Sequence, residues 1–190
     1  MLNLPNKITL IRILLIPVFM VFLLSRSVLD FLSISLRWGA IIAGVVFSLA
    51  ALTDTLDGYV ARAKGQITMA GHFLDPLADK LLVSAALISL VGLGRLSAWI
   101  AMVIIGREFA VMGLRMAAAA KNITIASSQW GKLKTLSQIL AIAVIIFRSQ
   151  ELRFGLLVEG TLVTIAVVLT VASGIEYFVR ALTLLTESRT

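Results

Sequence analysis

The chain has 190 residues, of which 59% are hydrophobic and 14% are charged, and its mean hydropathy is +1.02. Soluble domains average about 45–50% apolar and about 25% charged residues, so this composition excludes an ordinary soluble domain and indicates a polytopic membrane protein. The formal net charge is +7 and there is no cysteine, which excludes a disulfide framework and thiolate catalysis. In so apolar a chain, the basic excess favours an anionic membrane surface or an anionic substrate over nucleic acid.

Apolar stretches of helical length follow one another along the whole chain. They fall near 8–25, 37–60, 74–93, 97–119, 133–150 and 156–183, with polar breaks between them. Because a spanning helix needs about 20 apolar residues, the pattern predicts six transmembrane helices in a single all-α membrane domain over residues 1–190. Near the N-terminus, Asn6, Thr9 and Arg12 recur every three residues and predict a short interfacial helix whose polar side closes a site, although membrane anchoring alone explains the same spacing.

Lysine and arginine are distributed unequally between the two sides of these predicted spans. Eleven lie on the side that holds both termini and the breaks at 62–71 and 121–134, against five on the other side, leaving out Arg107 within a span. Basic loops face the cytoplasm, so the sequence predicts cytoplasmic termini. It also predicts that the aspartate-rich segment 54–79 lies at the cytoplasmic ends of the second and third spans.

Four carboxylates occur in this otherwise apolar region. Asp54 and Asp57 are three residues apart, and Asp75 and Asp79 are four apart, so each pair shares one face of its helix. A helical hairpin would bring the pairs together, and burying each carboxylate unpaired would cost several kcal/mol. Salt bridges or divalent cations can compensate the charges. Two divalent ions would cancel all four charges, and aspartate oxygens suit Mg²⁺ or Mn²⁺, so the pattern favours a two-metal site.

Small residues and an arginine accompany the carboxylates. Gly58, Ala61 and Gly71 leave room for a ligand to approach, and Arg62 offers a bidentate fork to a phosphate oxygen. Metal ions beside an arginine indicate a pyrophosphate site. Taken singly, the small residues also fit ordinary contacts between membrane helices, and Arg62 fits an interfacial anchor.

A second basic group indicates a separate anion site. Arg107 lies about 12 Å from either end of its predicted span, where a charge is costly and should face a polar cavity. With Arg115, Lys132 and Lys134 it could clamp a phosphomonoester. The alternative is an internal ion pair of Arg107, Glu108 and Arg115, with the two lysines serving only topology.

The carboxylate segment resembles a known family signature. Asp54-x₂-Asp57-Gly58-x₂-Ala61-Arg62-x₈-Gly71-x₃-Asp75-x₃-Asp79 is similar, at every position, to the signature of the CDP-alcohol phosphotransferases. The resemblance implies an integral membrane enzyme with six transmembrane helices, usually a homodimer. Such an enzyme transfers a phosphatidyl or similar group from a CDP-linked donor to an alcohol and releases CMP.

The resemblance also implies roles for particular residues. Two Mg²⁺ or Mn²⁺ ions per subunit would be held by the four aspartates, Asp54, Asp57, Asp75 and Asp79. Asp79 would in addition take the proton from the attacking hydroxyl. The CDP-diacylglycerol donor would be bound by Gly58, Ala61, Arg62 and Gly71. To these the polar side of the N-terminal helix adds Asn6 and Thr9 as expected donor contacts. The basic group described above, Arg107, Arg115, Lys132 and Lys134, is the expected acceptor site.

Further segments narrow the expected acceptor. "LPNKITLIR" at 4–12, "GREFAVMGLR" at 106–115 and "GKLKT" at 131–135 resemble the branch of the family that uses sn-glycerol 3-phosphate. The expected location is the bacterial inner membrane, with the active site facing the cytoplasm. Alternatives within the family are cardiolipin, phosphatidylserine and phosphatidylinositol-phosphate synthases.

Two alternatives lie outside the family. A membrane prenyltransferase also binds pyrophosphate through Mg²⁺, but its carboxylate pairs would have another spacing and would lack the Gly-x₂-Ala-Arg run. A cation transporter would predict inverted repeats and acids near the bilayer midplane, whereas these acids lie beside a predicted cytoplasmic loop.

Overall fold

The computed structural model describes residues 4–64, 69–119, 129–148 and 153–187. Every regular element within these ranges is an α-helix, which confirms the all-α prediction. The helices are α1 (Leu4–Leu24), α2 (Arg26–Phe31), α3 (Leu36–Lys64), α4 (Met69–Gly92), α5 (Ala98–Ala119), α6 (Gln129–Phe147) and α7 (Arg153–Glu187). They form two compact units, one of Met1–Leu96 with Ile142–Leu152 and the other of Ser97–Ala141 with Arg153–Thr190.

In the first unit, α1 packs against both α3 and α4. Phe19 of α1 and Phe47 of α3 are fully buried, and their ring centroids lie 5.8 Å apart. Gly39 allows α3 to approach the corner between α1 and α2, because a Cβ there would lie 2.7 Å from Leu29 Cδ1 and 2.9 Å from the Phe22 carbonyl oxygen. This packing sets α1 beside the two helices that carry the aspartates.

In the second unit, α5 packs against α7. The side chain of Arg107 reaches Ser173, and that of Arg115 reaches Tyr177, so α5 and α7 run in the same direction. The first part of α6 joins them through a buried hydrogen bond of 2.9 Å, in which Gln138 Nε2 donates to Thr170 Oγ1. Hydrogen bonds of this kind connect helices whose remaining contacts are apolar.

Several helix boundaries differ from the prediction. The polar stretch at 62–71 was expected to be a break, but α3 continues to Lys64 and α4 begins at Met69, so Arg62 and Gly71 are both helical. The sequence Ala-Arg-Ala-Lys at 61–64 contains only strong helix formers, which explains the extension. Helix α6 begins at Gln129, so Lys132 and Lys134, which were expected in the loop or at the helix start, lie in its first turns.

The N-terminal region also needs a correction. A separate short interfacial helix was expected, but α1 runs unbroken from Leu4 to Leu24 with Pro17 inside it. Prolines are tolerated within membrane helices because neighbouring groups satisfy the freed backbone carbonyl. Conversely, α2 was not predicted. Its N-cap is Ser25, whose Oγ accepts a hydrogen bond of 3.4 Å from the Val28 N–H.

The outer surface of the helices is apolar. Leu14, Trp99 and Leu157 are among many large hydrophobic side chains that are mostly exposed. Within the described ranges, Leu36–Thr53 and Leu157–Ala181 are long and apolar enough to cross a membrane, and Thr9–Leu24 and Leu133–Phe147 are shorter apolar helices. An apolar exterior of this extent indicates burial in lipid and is not the surface of a soluble monomer.

Candidate active site

The signature residues lie on two neighbouring helices of the first unit. Helix α3 carries Asp54, Asp57, Gly58, Ala61 and Arg62, and helix α4 carries Gly71, Asp75 and Asp79. These helices contact each other, and only residues 65–68 separate them, as expected of the predicted hairpin. Each aspartate pair therefore keeps the helical spacing from which a shared face was predicted. The side chains of the signature residues other than Asp79 lie outside the described residues.

Asp79 is the one signature carboxylate whose contacts the structure describes. Its Oδ2 accepts a hydrogen bond of 2.7 Å from Lys80 Nζ, and its side chain is 18% exposed. Among the described side chains, no group of three or more acids and histidines is close enough to hold a metal. The donor set is four aspartates on two helices in contact, and hard carboxylate oxygens suit Mg²⁺ or Mn²⁺. The residue types and their placement on α3 and α4 therefore fit the implied ions.

The predicted polar side of α1 faces the interior of the first unit. Thr9 and Arg12 are almost completely buried, whereas Ile11 and Leu14 on other faces of the helix are exposed. A buried guanidinium within an apolar helix is costly unless its surroundings are polar, so Arg12 marks a polar interior beside α1. The side chain of Asn6 lies outside the described residues.

The second unit contains a charged group that we call the basic cluster, formed by Arg107, Glu108, Lys134 and Ser173. Arg107 Nη1 donates to Glu108 Oε1 at 3.3 Å, and Arg107 Nη2 donates to Ser173 Oγ at 3.1 Å. Lys134 Nζ donates to the same Glu108 oxygen. The side chains of Lys134 and Glu108 are only 4% and 5% exposed. Helices α5, α6 and α7 thus each contribute a polar side chain to one buried network.

Arg115 lies near this network but has a different partner. Its Nε donates to Tyr177 Oη at 3.2 Å, and its Cζ lies 5.6 Å from the centroid of the same ring. The alternative of an internal ion pair of Arg107, Glu108 and Arg115 is thus only partly realised, because Glu108 pairs with Arg107 and Lys134. Lys134 is a member of the buried cluster and not a solvated loop charge. The side chain of Lys132 lies outside the described residues.

The charges of this region favour an anionic ligand. Arg107, Lys134 and Arg115 supply three positive charges, and Glu108 supplies one negative charge, which leaves a surplus of two. Arg107 Nε is buried and has no hydrogen-bond partner among the described residues. A buried donor without a partner is costly, and a phosphate oxygen would satisfy it with a charge-assisted hydrogen bond.

Residues of α7 that contact the cluster were not predicted from the sequence. Ser173 and Tyr177 bind the two arginines, and Gly174 lies against the stem of Arg107. A pattern that points to them exists, because Thr170, Ser173 and Tyr177 recur at helical spacing along one face of an otherwise apolar helix. The sequence does not specify which face of α5 these residues contact, because that depends on how the two helices pack.

Comparison with known proteins gives matches over nearly the whole chain. The family model described as CDP-alcohol phosphatidyltransferase matches residues 2–172. The chain is 45% identical over 182 residues to the CDP-diacylglycerol–glycerol-3-phosphate 3-phosphatidyltransferase of Bacillus subtilis, covering 94% of each chain. A Pseudomonas fluorescens protein of the same name is 38% identical over 182 residues, which is 92% of this chain and 88% of the relative. The probable phosphatidylglycerophosphate synthase of Mycobacterium tuberculosis is 37% identical over 188 residues, covering 95% and 82% of the two chains.

Proposed function

Because the chain belongs to the CDP-alcohol phosphatidyltransferase family, we propose that it transfers a phosphatidyl group from CDP-diacylglycerol to sn-glycerol 3-phosphate. The reaction releases CMP, forms phosphatidylglycerophosphate and serves phospholipid biosynthesis. The observation that carries this conclusion is the near full-length similarity to relatives whose names state the reaction.

The acceptor is bound by the basic cluster together with Arg115 and Lys132. Without Lys132, these side chains carry a surplus of two positive charges, which balances the phosphate of sn-glycerol 3-phosphate, whose charge at pH 7 is about −1.5 to −2 by analogy with other phosphomonoesters. Lys132 adds one further positive charge. Arg107 supplies a planar fork, and Lys134 supplies a compact ammonium group from the neighbouring helix. Buried charge-assisted hydrogen bonds of this type favour a phosphorylated acceptor over a neutral alcohol.

The donor is bound in the first unit. Asp54, Asp57, Asp75 and Asp79 would hold two Mg²⁺ or Mn²⁺ ions, and the surrounding donor residues are Gly58, Ala61, Arg62 and Gly71, with Asn6 and Thr9 of α1. Such ions, when bound, offset the charge of the pyrophosphate and of the departing CMP. Arg62 binds a phosphate oxygen through its guanidinium fork, and the glycines keep the approach to the diphosphate open.

Asp79 is the general base of the transfer. The acceptor hydroxyl oxygen forms a bond to the phosphorus of the phosphatidyl group, the bond from that phosphorus to the CMP oxygen breaks, and the hydroxyl proton passes to the carboxylate of Asp79. Lys80 Nζ donates a hydrogen bond of 2.7 Å to Oδ2 of this carboxylate. Positioning of the hydroxyl by the acceptor's bound phosphate supplies much of the rate enhancement.

The protein is a membrane protein, and its apolar exterior supports this assignment. We further propose six spans, a location in the bacterial inner membrane and an active site that faces the cytoplasm, the side to which the excess of lysine and arginine assigns the aspartate segment. The acyl chains of the donor then remain in the bilayer. A homodimer is proposed from the family resemblance alone.

Acceptor competition tests the proposed function. Detergent-solubilised protein is given CDP-diacylglycerol and Mg²⁺ or Mn²⁺ with sn-glycerol 3-phosphate, serine, inositol phosphate or phosphatidylglycerol, and CMP release is measured. We expect CMP release only when sn-glycerol 3-phosphate is the acceptor. EDTA should abolish this release, and either metal should restore it. Preferential use of another acceptor would overturn the acceptor assignment, and undiminished release in EDTA would overturn the metal assignment.

A further inference from the structure

Gly174 lies directly beneath the side chain of Arg107. A Cβ at this position would lie 3.1 Å from Arg107 Cγ, 3.5 Å from Nε and 3.9 Å from Cδ. The first distance is shorter than ordinary van der Waals contact, so the stem of Arg107 rests on the backbone of α7 in space that any other residue would fill. Arg107 is the ninth residue after Ala98, which places its Cα about 14 Å along α5. The side chain of Arg107 therefore runs across α7 at this depth.

The far end of the Arg107 side chain is held at two of its three nitrogens. Nη1 donates to Glu108, and Nη2 donates to Ser173, the residue adjacent to Gly174. The third nitrogen, Nε, is buried without a partner among the described residues. It is also the nitrogen that a Cβ at position 174 would approach. The backbone at Gly174 therefore determines where Nε, the guanidinium nitrogen without a partner among the described residues, is presented to an anion.

We infer that Gly174 is a positioning residue that sets the path of Arg107 and, through it, the affinity for the acceptor phosphate. This inference rests on the proposed function, because it assigns Arg107 to the acceptor. A methyl group at position 174 displaces Cγ of Arg107 by a few tenths of an ångström. The guanidinium, at the far end of the same side chain, moves farther. Its hydrogen bonds with Ser173 and with the bound phosphate lengthen as a result.

Glycine is the weaker choice for the helix itself. In a helix interior, alanine is more favourable than glycine, so Gly174→Ala should leave the stability of α7 unchanged or raise it. The gain in helix propensity offsets the weakened hydrogen bond between Arg107 and Ser173, so acceptor binding should fall while stability does not. A substitution that merely damaged the structure would lower both.

The experiment compares Gly174→Ala with Gly160→Ala on the same helix, where a Cβ would meet no atom within 4 Å. For Gly174→Ala we expect the KM for sn-glycerol 3-phosphate to rise about tenfold, as for the loss of one charge-assisted hydrogen bond. The KM for CDP-diacylglycerol should be unchanged, and the melting temperature should be unchanged or higher. Gly160→Ala should leave both KM values unchanged. Ser173→Ala should raise the acceptor KM in the same direction as Gly174→Ala.

Failure of this inference is distinguishable from failure of the proposed function. If the wild-type protein releases CMP with sn-glycerol 3-phosphate and Gly174→Ala changes the acceptor KM by less than twofold, the positioning role is wrong and the function stands. If the wild type shows no such release, the function is wrong. In that case, thermal stabilisation by inorganic phosphate tests whether Gly174 positions Arg107 for an anion. Stabilisation of wild type but not of Gly174→Ala supports the positioning of Arg107, and equal stabilisation of both overturns it.

Discussion

Replacing Glu108 by glutamine tests whether one buried carboxylate holds the basic cluster together. Glu108 Oε1 accepts hydrogen bonds from both Lys134 and Arg107, and its side chain is 5% exposed. Glutamine keeps the size and shape of the side chain but removes its negative charge. The lysine of α6 and the arginine of α5 then lose the counter-charge that they share, and their mutual repulsion is no longer compensated.

The expected loss of stability follows from burial. Removing the charge of one partner in a buried ion pair costs about 3–5 kcal/mol, because the other charge stays in a low-dielectric site. Glutamine retains an oxygen that accepts a hydrogen bond, so we expect the lower end, about 3 kcal/mol. In a protein of 150–250 residues, 1 kcal/mol shifts Tm by about 2–4 °C. Glu108→Gln should therefore lower Tm by about 6–12 °C.

The assay is thermal unfolding of the detergent-purified protein, followed by circular dichroism. The matched control is Glu176→Gln in the same unit. The carboxylate of Glu176 pairs with Arg180 at 2.6 Å and is more exposed than that of Glu108. Such pairs contribute about 0–1 kcal/mol, so the control should lose at most about 4 °C. Adding Lys134→Met to Glu108→Gln should recover most of the loss. Equal Tm values for Glu108→Gln and the control would refute the reasoning.

Three further changes test other parts of the structure. Asp57→Asn should abolish turnover without changing the circular dichroism spectrum, and full activity would contradict the metal assignment. Lys134→Met should raise the KM for sn-glycerol 3-phosphate about 10–100-fold through loss of a charge-assisted hydrogen bond, while the KM for CDP-diacylglycerol stays constant; equal acceptor KM values would remove this lysine from the site. Gly39→Ala should destabilise the protein by about 1–3 kcal/mol in thermal unfolding because Leu29 blocks a Cβ, whereas Gly92→Ala, which meets no atom within 4 Å, should not.

The helices were largely predictable because an apolar stretch of helical length is a strong local pattern. Their ends were less predictable, since α3 extends through the polar residue Arg62 and Pro17 does not interrupt α1. The short helix α2 escaped prediction because its six residues are too few for a hydropathy pattern, and it begins at a single capping residue, Ser25.

For the basic cluster, the charged residues could be identified from the sequence, but the side chains that contact them could not. Arg107 stood out because charges within apolar helices are rare and costly, and Lys134 stood out as a basic residue beside that span. Their partners depend on which helix faces meet, and no spacing along the chain specifies that Ser173 and Gly174 of α7 lie against Arg107. Glu108 was recognised as a possible partner, but its pairing with a lysine of α6 is a tertiary contact between residues 26 apart.

The identity of the lipid product tests the proposed activity most directly. Purified protein is incubated with CDP-diacylglycerol, Mg²⁺ and isotope-labelled sn-glycerol 3-phosphate, and the lipid extract is analysed by mass spectrometry while CMP is quantified. We expect labelled phosphatidylglycerophosphate in an amount equal to the CMP released. CMP release without label in any lipid, or no reaction in the presence of both substrates and metal, would contradict the activity proposed for this protein.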